Sequence, residues 1–194
     1  ASSPYGNGGT ITLTIQNGNI TTGYLNTGTN GLGNGGAVSV TAGNSISIGH
    51  ISSRSYSGRN GGEVTLNAGE DIAVSSIDAQ GGRSRAPSGG NGGRGGSVNL
   101  TAGDTIRILG FFTDYTDPNN VTTASISTRG GAGGGAIRIV TGGGIENPFK
   151  VGDPTTNGTA KDITSGEFRI SSTPVFTVPN PIYTQGNIEI ITLP

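Results

Sequence analysis

The sequence predicts an all-β protein, a right-handed parallel β-helix (β-solenoid) in which short strands wind into stacked coils. Three observations lead there: a composition hostile to helices, a glycine-led repeat, and alternation of apolar residues within each copy. Glycine supplies 38 of the 194 residues, while leucine supplies 7 and methionine none. Each glycine costs a helix roughly 1 kcal/mol, so a helical fold is excluded. Ile, Val, Leu and Phe together make 42 residues, close to the lower limit for building a core. The formal charge of −1 lacks the self-repulsion that usually accompanies disorder, so the apolar pattern decides for a folded chain.

The repeat is read from paired glycines at Gly8-Gly9, Gly35-Gly36, Gly61-Gly62, Gly95-Gly96 and Gly134-Gly135, spaced 27, 26, 34 and 39 residues apart. Apolar residues after each pair keep fixed offsets from it. Val38, Val40, Ala42, Ile46, Ile48 and Ile51 in one copy match Val64, Leu66, Ala68, Ile72, Val74 and Ile77 in the next. The third such series runs Val98, Leu100, Ala102, Ile106, Ile108 and Phe111, and the fourth runs Ile137, Ile139, Thr141 and Ile145. The first copy, Gly9 to Gly23, fits with a two-residue insertion at Asn17-Gly18. Alternation puts Val64, Leu66 and Ala68 on one face of a strand, with Thr65 and Asn67 on the other. One such coil cannot bury its apolar face; stacked coils can, about 4.8 Å apart. Parallel coils of this kind wind right-handed.

The expected domain is single, 1–194, with regular repeats over 7–145 and an irregular continuation over 146–194. There, GEFRI (Phe168, Ile170) and GNIEI (Ile188, Ile190) suggest one or two degenerate coils beyond about five clear ones. Length differences gather in Ser52–Asn60, Ala79–Gly93 and Phe112–Gly133, on one face of the stack. The chain starts almost directly in a repeat and closes on IEIITLP with no evident cap. Uncapped coils expose unpaired backbone and apolar side chains, so head-to-tail self-association into a filament is expected. The absence of methionine predicts a processed or excised chain.

Several functions are excluded by count. Without cysteine there is no disulfide, thiolate chemistry or Cys-based metal site, and His50 alone forms no histidine cluster. Near-neutral charge gives no general attraction to nucleic acid, and no apolar run is long enough for membrane insertion. Cofactors are not implied, and an enzyme is not expected. Glu70-Asp71 and Asp104 fall at one turn on adjacent coils, with Asn44 before them, a spacing eligible for paired-carboxylate chemistry. Post-glycine turns favour Asp and Asn for backbone reasons, which is the preferred account. Asp114–Asn120 contains oxygen ligands suited to calcium, yet an Asp-Pro turn explains it as well. The remaining candidates are the loop residues Arg54, Tyr56, Arg59, Arg83, Arg85 and Arg94, with no acid between Ala79 and Asp104. On a shared face they make a basic surface for an acidic polysaccharide or cell-surface glycan, with Tyr56 as a stacking platform.

GNGGAVSVTAGNSISIGHI, NGGEVTLNAGEDIAVSSIDAQGG and GGSVNLTAGDTIRI resemble repeats of the filamentous-haemagglutinin type, and more narrowly the Gly-Asn-Gly-Gly repeats of large cyanobacterial exported proteins. NPFKVGDPTTNGTAKDITSG and YTQGNIEIIT resemble a segment following such repeats. The resemblance implies a secreted or outer-surface β-helix, a non-catalytic fibre or adhesin segment, and transfers no catalytic residue. A carbohydrate-binding module is the alternative expectation, and a polysaccharide-cleaving β-helix the third.

Overall fold

A computed structural model describes residues 6–83, 92–114 and 122–194. Among them are nineteen strands and no helix. The first coil holds β1 (Ile11–Ile15), β2 (Ile20–Thr22) and β3 (Leu25–Asn26). In the second, β4 (Val38–Ala42) is followed by β5 (Ile46–Ser52), and in the third β6 (Val64–Ala68) by β7 (Ile72–Asp78). The fourth has β8 (Val98–Ala102) and β9 (Ile106–Ile108), then β10 (Phe112–Asp114) and β11 (Thr122–Ser127). The fifth has β12 (Ile137–Thr141), β13 (Lys150–Val151), β14 (Gly158–Thr159) and β15 (Asp162–Ser165). Four strands complete the chain: β16 (Phe168–Ile170), β17 (Phe176–Thr177), β18 (Ile182–Gln185) and β19 (Ile188–Thr192).

The architecture is a parallel β-helix. One sheet runs β1-β4-β6-β8-β12, every pair parallel and in the register that the glycine offsets dictate: Val38 lies on Val64, Val64 on Val98, and Val98 on Ile137. The facing sheet stacks Ile20, Ile46, Ile72 and Ile106 in the same way. Their inward side chains form one continuous dry core from Leu25 to Ile190.

The paired glycines mark the edge where the two sheets meet. The Gly62 amide donates to the Ser53 carbonyl across the same coil at 2.8 Å, and Gly96 donates likewise to Ala79. A Cβ at Gly62 would collide with the Gly36 carbonyl of the coil before. No side chain larger than hydrogen fits this corner. A hydroxyl adds a second fastener: Thr27, Ser53 and Thr128 donate to the carbonyls of Gly36, Gly62 and Gly135. The third coil has Ala79 at this place and closes without it. Ser53→Ala is therefore expected to cost only about 1 kcal/mol in a urea melt.

Four sequence expectations need correction. The first coil carries one extra residue, not two: β1 stands 27 positions from β4, while β2 stands 26 from β5. Gly18, at φ +122°, absorbs it. Phe111 does not join the Ile51–Ile77 column and is 55% exposed; Ile126 takes that place. The chain follows the ladder as far as Gly110, leaves in the antiparallel pair β10–β11, and rejoins only at Ala124. That insertion interrupts the coil instead of following its last strand. Ile145 is 81% exposed, because the chain swings outward after Thr141; Phe149 and Val151 fill the fifth coil's interior instead.

The fourth correction concerns the C-terminal end. Of the two degenerate copies, only β19 continues the parallel sheet, with Ile188 on Ile137. It is not an edge, since β18 pairs with its other side. At Gly166 the chain turns back on itself. β16, β17 and β18 then run antiparallel to β15, β13 and β19, in an order opposite to that of the coils beneath. This counter-wound layer is a cap. Phe176 and Tyr183, ring centroids 5.1 Å apart, pack on the core below it.

Candidate functional site

The structure brings several of the arginine-bearing loops together: Gly82, beside Arg83, donates its amide to the Arg59 carbonyl and accepts from the amide of Gly93, beside Arg94. Arg54 leaves the second coil just after the buried Ser53. Its guanidinium lies 4.2 Å over the Tyr56 ring and 3.6 Å from Asp78 Oδ2. Arg83 forms a backbone bridge with Ser57, and its Nε and Nη2 are buried with no hydrogen-bond partner among the described residues. Arg59 is exposed and holds Gly82 through its backbone carbonyl. Arg85 lies outside the described residues. Arg94 stands on the glycine edge, its carbonyl accepting from the Gly61 amide. Its amide ends a ladder in which Asn34, Asn60 and Arg94 donate in turn to the Oδ1 of Asn7, Asn34 and Asn60, at 2.9–3.0 Å.

The most elaborate polar cluster was not anticipated. Where Arg54 sits on the outer face of the second coil, the hydrogen-bond ladder places Gln80 in the third and Arg129 in the fourth. The β10–β11 excursion folds over these positions and drives Asp114 into them. The Asp114 carboxylate is fully buried. It accepts from Gln80 Nε2 at 2.6 Å, Ser127 Oγ at 3.0 Å and Thr164 Oγ1 at 3.2 Å, and lies 3.6 Å from Arg129 Nη1. The cluster fastens the insertion to the rod.

Asp78, beside it, is buried enough that desolvation pushes its carboxyl from 3.8 up to about 6, against the pull of Arg54. A folded-state value raised in this way means the neutral acid favours folding. Its stabilising contribution is complete below pH 4 or so and fades as pH rises through about 6. Asp78→Asn is expected to flatten the stability profile over that window and raise stability at pH 7 by up to about 3 kcal/mol. Urea melts at pH 4 and pH 7 check this; unchanged pH dependence would count against the assignment.

Of the stacked turn carboxylates, Asp71 and Glu70 bind polar groups of neighbouring coils, in keeping with the turn account. Glu70 and Asp104 do stack one coil apart, Asp104 donating its amide to the Glu70 carbonyl. Asp71 Oδ1 accepts from the amide and hydroxyl of Thr105, and Glu70 accepts from Ser45 Oγ. Among the described residues no group of three or more His, Asp or Glu is placed to hold a metal. Of the Asp114–Asn120 loop, only Asp114 is described, and it points inward. His50 Nδ1 lies 2.6 Å from Ser76 Oγ, a nucleophile-and-base distance, but Ser76 is only 3% exposed. The imidazole is stacked on Tyr24 at 5.4 Å and meets the edge of Phe112 at 5.8 Å. Burial holds its pKa below 6.5, so the pair packs as neutral groups.

Two adjoining hollows, of about 420 and 560 Å³, share Arg94 and Gly134 in their walls. They open where Gly133 occupies the place that Asn60 and Arg94 hold in earlier coils; the side-chain ladder has already stopped at Arg94, whose guanidinium offers the next amide no acceptor. Phe168 and Asn187 line the far end, and Asn187 Oδ1 is buried without a partner among the described residues. Comparison with known proteins found no matching family model, curated protein or solved structure.

Proposed function

We propose that this chain is a non-catalytic structural segment of a secreted or cell-surface fibre or adhesin, extended end to end through its open solenoid edge. The supporting observation is that its chemistry-bearing side chains are spent on the rod. Asp71, Asp78, Asp114 and the asparagine ladder hold backbone or neighbouring coils, and Ser76 is shut away beside His50. The resemblance of the Gly-Asn-Gly-Gly copies to filamentous-haemagglutinin-type repeats of cyanobacterial exported proteins agrees with that role. Electron microscopy of native cells with an antibody to this chain tests it. Labelled surface fibres are expected; label confined to the cell interior would overturn the reading.

The Arg94 hollow favours a second reading, a carbohydrate-binding module on the glycine edge instead of the loop face. It predicts glycan-array signal that Arg94→Ala removes and Arg54→Ala leaves in place; no signal from the unmodified chain would end it.

A further inference from the structure

The two ends of the rod differ. At the C-terminal end the core is covered by Phe176, Val178 and Tyr183, and Ile188 and Ile190 are fully buried. The outermost strands there run against the direction of the coils, and Pro174, Pro179 and Pro181 flank β17 and β18. Proline and reversed direction both oppose the addition of a parallel strand. At the other end Ile11, Leu13 and Ile20 are only partly buried, and the face of the Tyr24 ring turned away from His50 has no ring stacked on it among the described residues.

Among the described residues no strand pairs with the outer edge of the first coil. The Ile11 amide donates to Ala37, Ile15 accepts from Gly43, and the Ile20 amide donates to Ser45. By the alternation of a parallel ladder, the backbone groups of Thr12, Thr14 and Thr21 face outward instead. Residues 6–53 contain no Asp, Glu, Lys, Arg or Pro, the residues that commonly protect such edges.

Glycine placement says what fits there. In later coils the second glycine of each pair is required because a Cβ would strike the carbonyl of the coil before: Gly36 against Gly9, Gly62 against Gly36, Gly96 against Gly62. Gly9 holds the same place in the first coil, yet a Cβ there meets no atom of the described residues within 4 Å. Gly23 is equally free, while its counterpart Gly49 would touch the Gly23 carbonyl at 3.0 Å. Neither Gly9 nor Gly23 has a positive φ. At Gly9 the lack of a side chain serves nothing inside the described structure, and it is what a coil stacked on this edge demands; the Gly23 place carries Ser75 and Leu109 in later coils and makes no such demand. The Asn7 amide likewise stands where Asn34 and Asn60 each find an asparagine Oδ1 on the coil before.

We infer that the outer edge of β1–β3 is a docking edge for one parallel β-coil of the same Gly-Gly repeat, carrying asparagine ahead of its glycines, and that the rod accepts such a coil at this end only. This rests on the reading of the chain as part of a longer structural rod and names the partner for its edge. It also means that the chain's own capped end is a poor partner for its first coil.

The test inserts a second copy of Asn34–Arg59 directly before Asn7 in the full chain, preserving the natural connection into an asparagine. Hydrogen exchange at Thr12, Thr14 and Thr21 is expected to slow about tenfold or more relative to the unextended chain. Gly9→Val should leave the melting of the unextended chain unchanged and abolish that slowing in the extended one. Exchange that stays fast after extension, or slowing that survives Gly9→Val, would overturn the docking edge. Light scattering on the unextended chain checks one-sidedness: filaments whose growth Ile182→Lys on β18 prevents would show that the capped end does accept a coil. Fibre labelling on cells is independent of these readouts, so failure of the cellular role leaves the exchange result standing.

Discussion

Gly62→Val is expected to destabilise the chain by more than about 4 kcal/mol, enough to unfold its central coils. The corner at Gly62 is bounded by the Gly36 carbonyl and by Ser53, to which it is hydrogen-bonded. Both are backbone neighbours in ladders that cannot move singly, so a side chain must force two coils apart or open the corner. Stacked interiors are dense and tolerate little added volume. Gly9→Val is the matched control, because the same glycine of the first coil faces open space. It is expected to stay within about 0.5 kcal/mol of the parent. Circular dichroism melts of the two variants decide the matter: equal losses, or none in Gly62→Val, would mean that the corner is not held as described.

Asp114→Ala is expected to cost about 3–5 kcal/mol. The carboxylate is the shared acceptor for Gln80, Ser127 and Thr164 and the ion partner of Arg129. Removing it leaves a buried guanidinium and amide facing apolar methyl. The damage should be local. Amides of β10 should lose protection from exchange while those of β6 and β7 keep theirs. Asp114→Asn, which retains an acceptor, should lose less. A uniform loss across all coils would show that the insertion is integral to the core and not fastened onto it.

The coils from Gly35 to Ala102 could be read from sequence because each glycine pair sets the phase of the strand after it. Phase is all that a stacked register needs: Val38, Val64 and Val98 align through it without any other information. The same alternation misled at Phe111. A strand leaving the stack in a hairpin alternates as well as one that stays, and only Gly110, where pairing ends, marks the departure. Strand direction is invisible to alternation too. GEFRI and GNIEI have one local pattern, yet β16 runs against its neighbour β15 and β19 runs with β12. The available signal was the turn before each. Gly166-Glu167 and Gly186-Asn187 are two-residue connections opening on a glycine at φ +57° and +60°, a hairpin signature.

The polar cluster was less legible. Its acid and its partners are 34, 13 and 50 residues apart, and they meet only because the excursion lies over the fourth coil. The surroundings of the loop arginines were hidden for a related reason. Counting charges along the loops could not show that Arg54 would turn to Asp78 or that Arg94 would line a hollow with Phe168 and Asn187.

The reversal at Gly166 has a consequence for how the molecule is completed. β19 must slot beside β12, whose partner residues precede it by 51 positions, after the counter-wound strands have passed overhead. Until that last piece arrives, Ile137 to Thr141 present a bare ribbon to whatever is nearby. Any process that delivers the chain gradually therefore carries a sticky leading surface there until β19 arrives. A mishap confined to these five residues would yield clumping from an otherwise sound molecule.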